Sequence, residues 1–271
     1  MFGYDNVLQN DKLVLDLPFY EGIGAITRDQ SKIHHQDIDL VLSPTWDRHQ
    51  YGIGPFGWGF GAGYDTSDIG SFSLSFERRG FHTGDGISII TTDGTTNQYG
   101  MIDNLDSTEL DITSEDYSIC GWIKWGDCVT LSAIIIGRYL VSNNGWEIYL
   151  TESGGHRYLS LRHHHASGVA ARSACYSDNW TFNIWWFWSI SRQGSFVQQY
   201  RNGIAVITTA DPAGLEDPES CNQDVVIGIR TTKDANRLNG SQQGIRMWKN
   251  RFFSANEWLH IFEKERKFFG V

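Results

Sequence analysis

The chain is most constrained by a run of four aromatic residues, WWFW, at positions 185–188. Successive side chains of a β-strand point to opposite faces of the sheet. The two faces of this strand would carry Trp186, Trp188 and Ile190 on one side, and Trp185, Phe187 and Ser189 on the other. Neither face can then be left to water. We expect one set to fill a core between two sheets, and the other to lie beneath a loop, a partner or a ligand.

Two turn signals follow the aromatic run. Asn202-Gly203 lies between two apolar segments, and Asn-Gly is the strongest short signal for a two-residue hairpin because both central residues need a positive φ. Gln193-Gly194 predicts an earlier turn. Residues 185–206 are therefore predicted to form three strands of a meander.

Short alternating segments of the same kind recur along the chain. The clearest faces are Leu13, Leu15 and Leu17; Phe72, Leu74 and Phe76; and Ile119 and Ile123 opposite Trp122. Repeated short strands separated by turns are typical of an all-β sandwich.

One helix is predicted, over residues 254–269. Ser254 and Glu257 form a capping-box pattern. Trp258, Ile261 and Phe262 share one face at helical spacing, so we expect this helix to pack across the sandwich.

Composition and charge exclude several classes of partner. The chain has 271 residues, with 22 Lys and Arg against 32 Asp and Glu, and a net charge of −10. Without a basic cluster, such a chain repels phosphate backbones, so no nucleic-acid partner is predicted. The first residues lack the basic and apolar regions of a signal peptide, and no apolar window predicts a membrane span.

The four cysteines, Cys120, Cys128, Cys175 and Cys221, show no CxxC spacing and are predicted to be reduced thiols.

The histidine triplet His163-His164-His165 is the most conspicuous candidate for a metal site. In an extended segment only His163 and His165 would share a face, and two imidazoles seldom make a metal site alone. A surface turn is the favoured interpretation, and no metal ligand is assigned.

Sugar binding requires an exposed aromatic platform beside polar groups. The candidates for it are Trp146, Tyr149, Tyr158 and Trp185, although such residues also fill large sandwich cores. The segment at 52–63, half of it glycine, carries Phe56, Trp58 and Phe60 and is predicted to be a loop. Its aromatic rings would either fold back on the domain or be buried on a neighbouring subunit.

Several of these segments together resemble the laminin-G-like, concanavalin A-like lectin/glucanase superfamily. The resemblance is carried by residues 73–77, 110–125, 136–150, 185–204, 225–230 and 238–258. It implies one jelly-roll domain over residues 1–271: a sandwich of two antiparallel β-sheets with a short C-terminal helix and an N-terminal arm at 1–12. Residues 78–98 look like an insertion relative to the family.

The resemblance also implies where ligands and chemistry would be expected. Members that hydrolyse glucans carry carboxylates at alternate positions of one strand, and the nearest pattern here is Glu109, Asp111 and Glu115. Its second gap is too long, so a solvated turn is favoured and no catalytic residue is assigned. Many members bind calcium at the sandwich rim, and the candidates here are Asp85, Asp93, Asp103 and Asp106. Asp85 and Asp93 precede glycines and are turn formers first, so no cofactor is assigned.

The leading segment, LVLDLPFYEGIGAITRDQSKIHH, is similar to stand-alone members found in bacteriophage and viral genomes. This implies a non-enzymatic structural protein of the virion, such as a capsid decoration or a tail or fibre component. Its expected partners are other virion proteins and host-surface glycans, with a homo-oligomer as a further possibility. The alternatives are a carbohydrate-binding lectin module and a glycoside hydrolase.

Overall fold

The computed structural model describes most of the chain. The described ranges are 12–19, 26–31, 37–41, 45–49, 87–94, 97–126, 132–153, 156–165, 173–177, 180–206, 208–211 and 215–271. The predicted arm at 1–12, apart from its last residue, and the glycine-aromatic loop at 52–63 lie outside the described residues.

Seventeen strands and one α-helix form the described part of the chain. The strands are β1 (Leu13–Leu17), β2 (Ile26–Arg28), β3 (Asp37–Val41), β4 (Thr45–His49), β5 (Ile87–Asp93), β6 (Tyr99–Ile102), β7 (Tyr117–Trp125), β8 (Ser132–Leu140), β9 (Asn144–Ser153), β10 (His156–His164), β11 (Ser173–Ser177), β12 (Trp185–Gln193), β13 (Phe196–Arg201), β14 (Ile204–Ala205), β15 (Thr208–Asp211), β16 (Val225–Ile227) and β17 (Asn239–Lys249). Helix α1 spans Ala255–Glu265, and 3₁₀ turns lie at Thr108–Leu110 and Arg266–Phe268.

The strands make two antiparallel sheets, which confirms the predicted sandwich. The eight-stranded sheet has the order β14-β13-β12-β7-β17-β5-β4, with β1 also paired to β17. The nine-stranded sheet has the order β15-β11-β10-β9-β8-β16-β6-β3-β2. Residues 87–93 of the predicted insertion form β5, which pairs with β17 and β4 as part of the sheet.

The inner face of β12 lies in the core between the sheets. Trp188 and Ile190 pack there, and Trp186 contacts its margin. Ile119 and Ile123 of β7 join them, as the alternation of that strand predicted. The nine-stranded sheet contributes Ile135, Ile136, Ile148, Leu150, Leu159 and Leu161 to the same core.

The outer face of β12 is covered by the C-terminal segment. Trp185 and Phe187 belong to a second apolar cluster with Trp258, Ile261 and Phe262 of α1. The cover of this face is the helix of the same chain and not the loop, partner or ligand expected there, whereas the separate expectation that the helix packs across the sandwich is confirmed. A polar contact accompanies the packing: the Trp258 indole donates a hydrogen bond to Ser191 Oγ at 2.8 Å.

Both ends of α1 are fixed by hydrogen bonds. The predicted capping box is present: the Ser254 backbone N–H donates to Glu257 Oε2 at 2.8 Å, and Glu257 N–H donates to Ser254 Oγ at 3.4 Å. At the other end Glu265 receives two hydrogen bonds from the sheet, from Arg246 Nη2 at 2.9 Å and from the Trp122 indole at 2.8 Å. The helix is thus tied to β7 and β17 as well as packed on them.

The hairpin after β13 has the predicted geometry. Asn202 and Gly203 have φ of 51° and 74°, and they join β13 to β14. A Cβ on Gly203 would lie 2.6 Å from Leu259 Cα, so glycine is needed both for the turn and for the approach of α1. The earlier turn is centred on Gly194 and Ser195, because Gln193 pairs with Phe196.

Two of the four cysteines lie in the described structure with their side chains. Cys120 and Cys221 are free and buried, which agrees with the predicted reduced thiols. Burial raises the pKa of Cys120 to about 12, so it is an unreactive thiol at neutral pH. Cys128 and the side chain of Cys175 lie outside the described residues.

Neighbouring residues of α1 provide a test of its role. Trp258→Ala removes a fully buried indole and should lower the free energy of unfolding by about 3 to 5 kcal/mol. Leu259→Ala, at a side chain that is 39% exposed, should cost no more than about 1 kcal/mol. Urea denaturation followed by tryptophan fluorescence measures both. Equal losses would show that α1 does not stabilise the sandwich through its apolar face.

Candidate functional site

Two of the four residues predicted for a sugar platform are core tryptophans. Trp146 is 0% exposed, packs between the sheets and donates its indole N–H to the Leu110 carbonyl at 2.9 Å. Trp185 is 3% exposed and meets Phe269 edge-to-face with ring centroids 5.0 Å apart. The prediction of an exposed platform is wrong for both, because the sandwich core and the C-terminal segment enclose them.

The other two predicted residues lie on the outer face of the nine-stranded sheet. Tyr149 is buried, and its hydroxyl accepts a hydrogen bond from Arg162 Nη2 at 2.6 Å. Its ring is therefore no exposed platform either. Tyr158, near the start of β10, is half-buried and is the member of the predicted set that reaches solvent. The predicted interaction residues Phe56, Trp58 and Phe60 lie outside the described residues.

A polar cluster surrounds Glu147 on this outer face. Glu147 Oε1 lies 3.2 Å from Arg162 Nη1 and 3.1 Å from His164 Nε2. The His164 ring stacks on Tyr139 at 5.0 Å, with 8° between the planes. Burial raises the pKa of the Tyr139 hydroxyl, so that it stays protonated. Glu147 is 3% exposed and compensated by Arg162, which makes it a structural acceptor in this arrangement.

The histidine triplet does not form the predicted surface turn. His163 and His164 end β10, and both are fully buried on opposite faces of the sheet. His163 Nδ1 lies 2.6 Å from the Glu216 carbonyl, which can only accept, so Nδ1 carries the proton. Nε2 then accepts from the Tyr117 hydroxyl at 2.9 Å. Within the described ranges, no group of three or more His, Cys, Asp or Glu side chains is placed to hold a metal ion.

The loop over residues 215–224 covers this end of the sandwich, which we call the histidine end. Arg192 is fully buried there, donates to the Glu115 carbonyl at 2.7 Å and forms an ion pair with Asp217. Burial lowers the pKa of His163 to about 3, so its ring is neutral at physiological pH. At the histidine end, buried polar side chains therefore bind carbonyl and carboxylate groups of the protein's own loops.

The carboxylates of the nearest glucanase-like pattern also bind the protein's own loops. Asp111 Oδ1 accepts the Cys221 N–H of the loop over residues 215–224 at 2.9 Å. Partial burial raises the pKa of Glu115, but hydrogen bonds from Thr113 and the Lys249 ammonium outweigh it and bring the pKa to about 2. Glu109 lies in the 3₁₀ turn at Thr108–Leu110.

The calcium candidates are only partly described. Asp103 Oδ1 accepts the Leu105 N–H at 2.9 Å, and the Asp103 carbonyl accepts the Asp106 N–H at 3.1 Å, which closes a turn. Asp85 and the side chain of Asp93 lie outside the described residues.

The opposite end of the sandwich, which we call the arginine–aromatic end, joins two guanidinium groups to a set of aromatic rings. Arg157 Cζ lies 3.5 Å from the ring centroid of Phe182. Arg201 Cζ lies 5.1 Å from the ring centroid of Trp186 and 5.8 Å from that of Trp180. These distances place both arginines within cation–π range.

Contacts among the rings connect the two arginines. The rings of Trp180 and Trp186 meet edge-to-face with their centroids 5.7 Å apart. The backbone N–H of Trp180 donates a hydrogen bond to the Arg157 carbonyl at 3.3 Å. The Trp186 indole donates to the Thr181 carbonyl at 3.0 Å. Arg157, Phe182, Trp186 and Arg201 are all half-buried, and the Arg157 side chain is 31% exposed.

Sequence reasoning did not find this end. Arg157 and Arg201 are 44 positions apart and carry no motif. The available signal was that each lies at a strand end, and that Trp180 and Phe182 immediately precede the aromatic strand. Only the strand order shows that these positions meet.

The family can now be stated from the comparisons with known proteins. A sequence model described as the Concanavalin A-like lectin/glucanases superfamily matches residues 93–257, more than half of the chain. The chain belongs to this superfamily. No curated protein matches it significantly.

Solved structures with the same fold include the binding domains of bacterial toxins. The binding domain of botulinum neurotoxin serotype G superposes with a TM-score of 0.61 at 13% identity, over 93% of this chain and 51% of the toxin chain. The binding domain of Paraclostridial Mosquitocidal Protein 1 gives 0.60 at 13% identity, over 94% of this chain and 52% of that chain. This superfamily domain therefore spans about half the length of the binding domains it resembles, and at this identity the likeness shows the fold alone.

The described residues contain no helix that is both long and apolar enough to span a bilayer. This finding concerns helices in the described ranges only.

The neutral His163 ring predicts a specific dependence of stability on pH. In the unfolded chain His163 takes up a proton near pH 6.5, whereas in the folded protein it does so near pH 3. Acidification between these values therefore favours unfolding. The stability of His163→Gln should fall less steeply than that of the wild type from pH 6 to 4, by up to about 1.4 kcal/mol per pH unit.

A control for this prediction is His260→Gln, at an exposed position of α1, which should keep the wild-type slope. The comparison must be made between variants, because burial raises the pKa of Asp16 to about 6. Asp16 therefore adds stability as the pH falls below about 6, and this opposes the effect of His163. Urea unfolding at several pH values gives the slopes, and identical slopes for wild type and His163→Gln would contradict the assignment.

Proposed function

We propose that this protein is a non-enzymatic binding module that acts as a structural component of a virion. In this role it would attach to other virion proteins and to host-surface glycans. The proposal has a general part, binding without bond cleavage, and a specific part, the virion. They have different support and are tested separately.

The burial and the ion pairs of Glu147 are the main support for the general part of the proposal. Glycoside hydrolysis needs two carboxyl groups that flank the scissile bond, one of them free to donate a proton. Glu147 is a carboxylate on the outer face of the central strands β8, β9 and β10, and it is buried between Arg162 and His164. Glu115 accepts a backbone N–H of its own loop, and Asp111 accepts the Cys221 N–H of the loop over residues 215–224. These carboxylates support structure, which favours binding over hydrolysis.

The related structures favour the same class of function. The binding domain of botulinum neurotoxin DC was solved in complex with rat synaptotagmin II, and its TM-score with this chain is 0.55 at 12% identity. For botulinum neurotoxin type C, with a TM-score of 0.56 at 14% identity, cell entry depends on interaction with two ganglioside molecules. These proteins bind a protein and a glycolipid, the two partner classes that we propose here. Because this chain spans half of theirs, neither ligand is transferred to it.

The virion is supported by the resemblance of residues 13–35 to the leading segments of stand-alone viral members of the superfamily. The β-sandwich suits this role, because a rigid scaffold can display loops at both of its ends.

A lectin module is the second candidate function. The arginine–aromatic end favours it, since half-buried rings beside guanidinium groups combine an apolar surface with hydrogen-bond donors. A glycoside hydrolase is the third candidate, and the engaged carboxylates disfavour it.

The general part predicts no turnover of polysaccharides. Purified protein incubated with β-glucan, xylan, pectin and chitin should release no reducing ends above a heat-inactivated control. In addition, Glu147→Gln should lower thermal stability, because it leaves half-buried Arg162 and buried His164 without their anionic partner. Hydrolysis that is lost in Glu147→Gln without a loss of stability would contradict the proposal.

The specific part predicts that the protein is present in purified particles of the encoding virus. Immunogold labelling with antibodies against the protein should decorate intact particles, and peptide mass spectrometry should give a copy number that fits a repeated position. Preimmune serum is the control for labelling. Particles that lack the protein, although infected cells contain it, would contradict the virion assignment.

A further inference from the structure

We propose that the arginine–aromatic end binds an anionic saccharide, through a carboxylate or sulfate group on a sugar ring. This inference rests on the proposed binding function and adds to it a site and a chemical class of ligand. The site consists of Arg157, Phe182, Trp180, Trp186 and Arg201.

Cation–π contacts with aromatic rings hold both guanidinium groups in place for an anion. Arg157 Cζ lies 3.5 Å from the Phe182 ring centroid, and Arg201 Cζ lies 5.1 Å from that of Trp186. A guanidinium is more weakly hydrated than an ammonium, and its planar fork of N–H donors is rigid. Such a fork matches two oxygens of a carboxylate or sulfate, which gives strong charge-assisted hydrogen bonds.

The charge of Arg157 is only loosely compensated within the protein. Its acidic neighbour is Glu152, whose Oε2 lies 3.8 Å from Arg157 Nε, beyond hydrogen-bonding distance. Arg157 Nε is itself buried without a hydrogen-bond acceptor. Acceptance of an anion at the outer edge of the guanidinium would compensate its charge.

The surroundings of the arginines favour a saccharide over an acidic peptide. Phe182 and Trp186 are half-buried, and Ile184 between them is 43% exposed. The C–H groups of a pyranose ring can pack against such apolar and aromatic surface while its charged substituent reaches an arginine. The exposed Thr181 and Asn183 alternate with these residues and offer polar groups to hydroxyls.

The positive charge of this site is confined to its own surroundings, because the chain as a whole is acidic. With a formal charge of −10 the whole protein repels anions at long range. At physiological ionic strength charges more than about 8 Å apart are largely screened, so a ligand in the site senses mainly the two arginines and the neighbouring Glu152. Binding is therefore expected to depend on these side chains individually.

The test is calorimetric titration of the full chain with three oligosaccharides. Oligogalacturonate carries carboxylates alone, a carrageenan oligosaccharide carries sulfates alone, and maltohexaose is neutral. At least one charged ligand should bind about tenfold or more tightly than maltohexaose, and the comparison of the first two identifies the anionic group. Arg157→Gln and Arg201→Gln should each weaken that ligand by roughly tenfold or more.

Matched variants separate the site from general effects of charge and folding. Arg230→Gln removes an arginine near Tyr139, at the histidine end of β8, and should bind as the wild type does. Arg157→Lys and Arg201→Lys keep the charge without the planar fork and should show intermediate losses. Thermal melts show whether each variant is folded. If a glutamine variant does not fold, the lysine variant at the same position takes its place in the test.

Several outcomes would overturn the site. These are absence of binding to both charged ligands, equal affinity for maltohexaose, equal affinity for a hexaglutamate peptide, or affinity unchanged in both arginine variants. Binding of a saccharide with an affinity that does not change in the Arg157 and Arg201 variants would overturn this inference and leave the proposed binding function standing. Cleavage of any of the ligands by the wild type would instead overturn the proposed function.

Discussion

Burial of both faces of β12 by different parts of the same chain is the constraint on which the rest of the structure depends. Trp188 and Ile190 close the core between the sheets, while Trp185 and Phe187 are covered by α1. A strand with aromatic residues on one face only could have formed a two-layer sandwich without the helix. Here the eight-stranded sheet needs a third layer, and the tie from Glu265 to Arg246 fixes where that layer lies.

Local patterns in the sequence predicted the parts of the fold that local physics determines. The alternation in β7 and β12, the Asn202-Gly203 turn and the capping box of α1 all depend on residues that are close in sequence. The histidine triplet could not be predicted in this way. It looked like a surface turn because the loop that buries it, at 215–224, lies fifty residues further along the chain.

The candidate site illustrates the same limit. Alternation assigns Trp146 and Tyr149 to opposite faces of β9, but it does not say whether either face is open to solvent. In a chain with eleven tryptophans, most large rings are required for the core. The arginine–aromatic end depends instead on strand order, which brings the start of β10, the residues before β12 and the end of β13 to one end of the sandwich. Membership of the superfamily fixes the scaffold, whereas the ligand is decided by such end residues.

The place of β17 in the eight-stranded sheet has a consequence for how the chain is made. This strand lies in the middle of the sheet, paired with β1, β5 and β7, yet it comes at residues 239–249. Among the described strands β17 is the only partner of β1. More than two hundred residues are therefore synthesised between β1 and the strand with which it pairs. During translation its apolar residues Leu13, Leu15 and Leu17 lack their native strand partner, a state prone to aggregation. This sheet therefore cannot be completed before β17 has been synthesised.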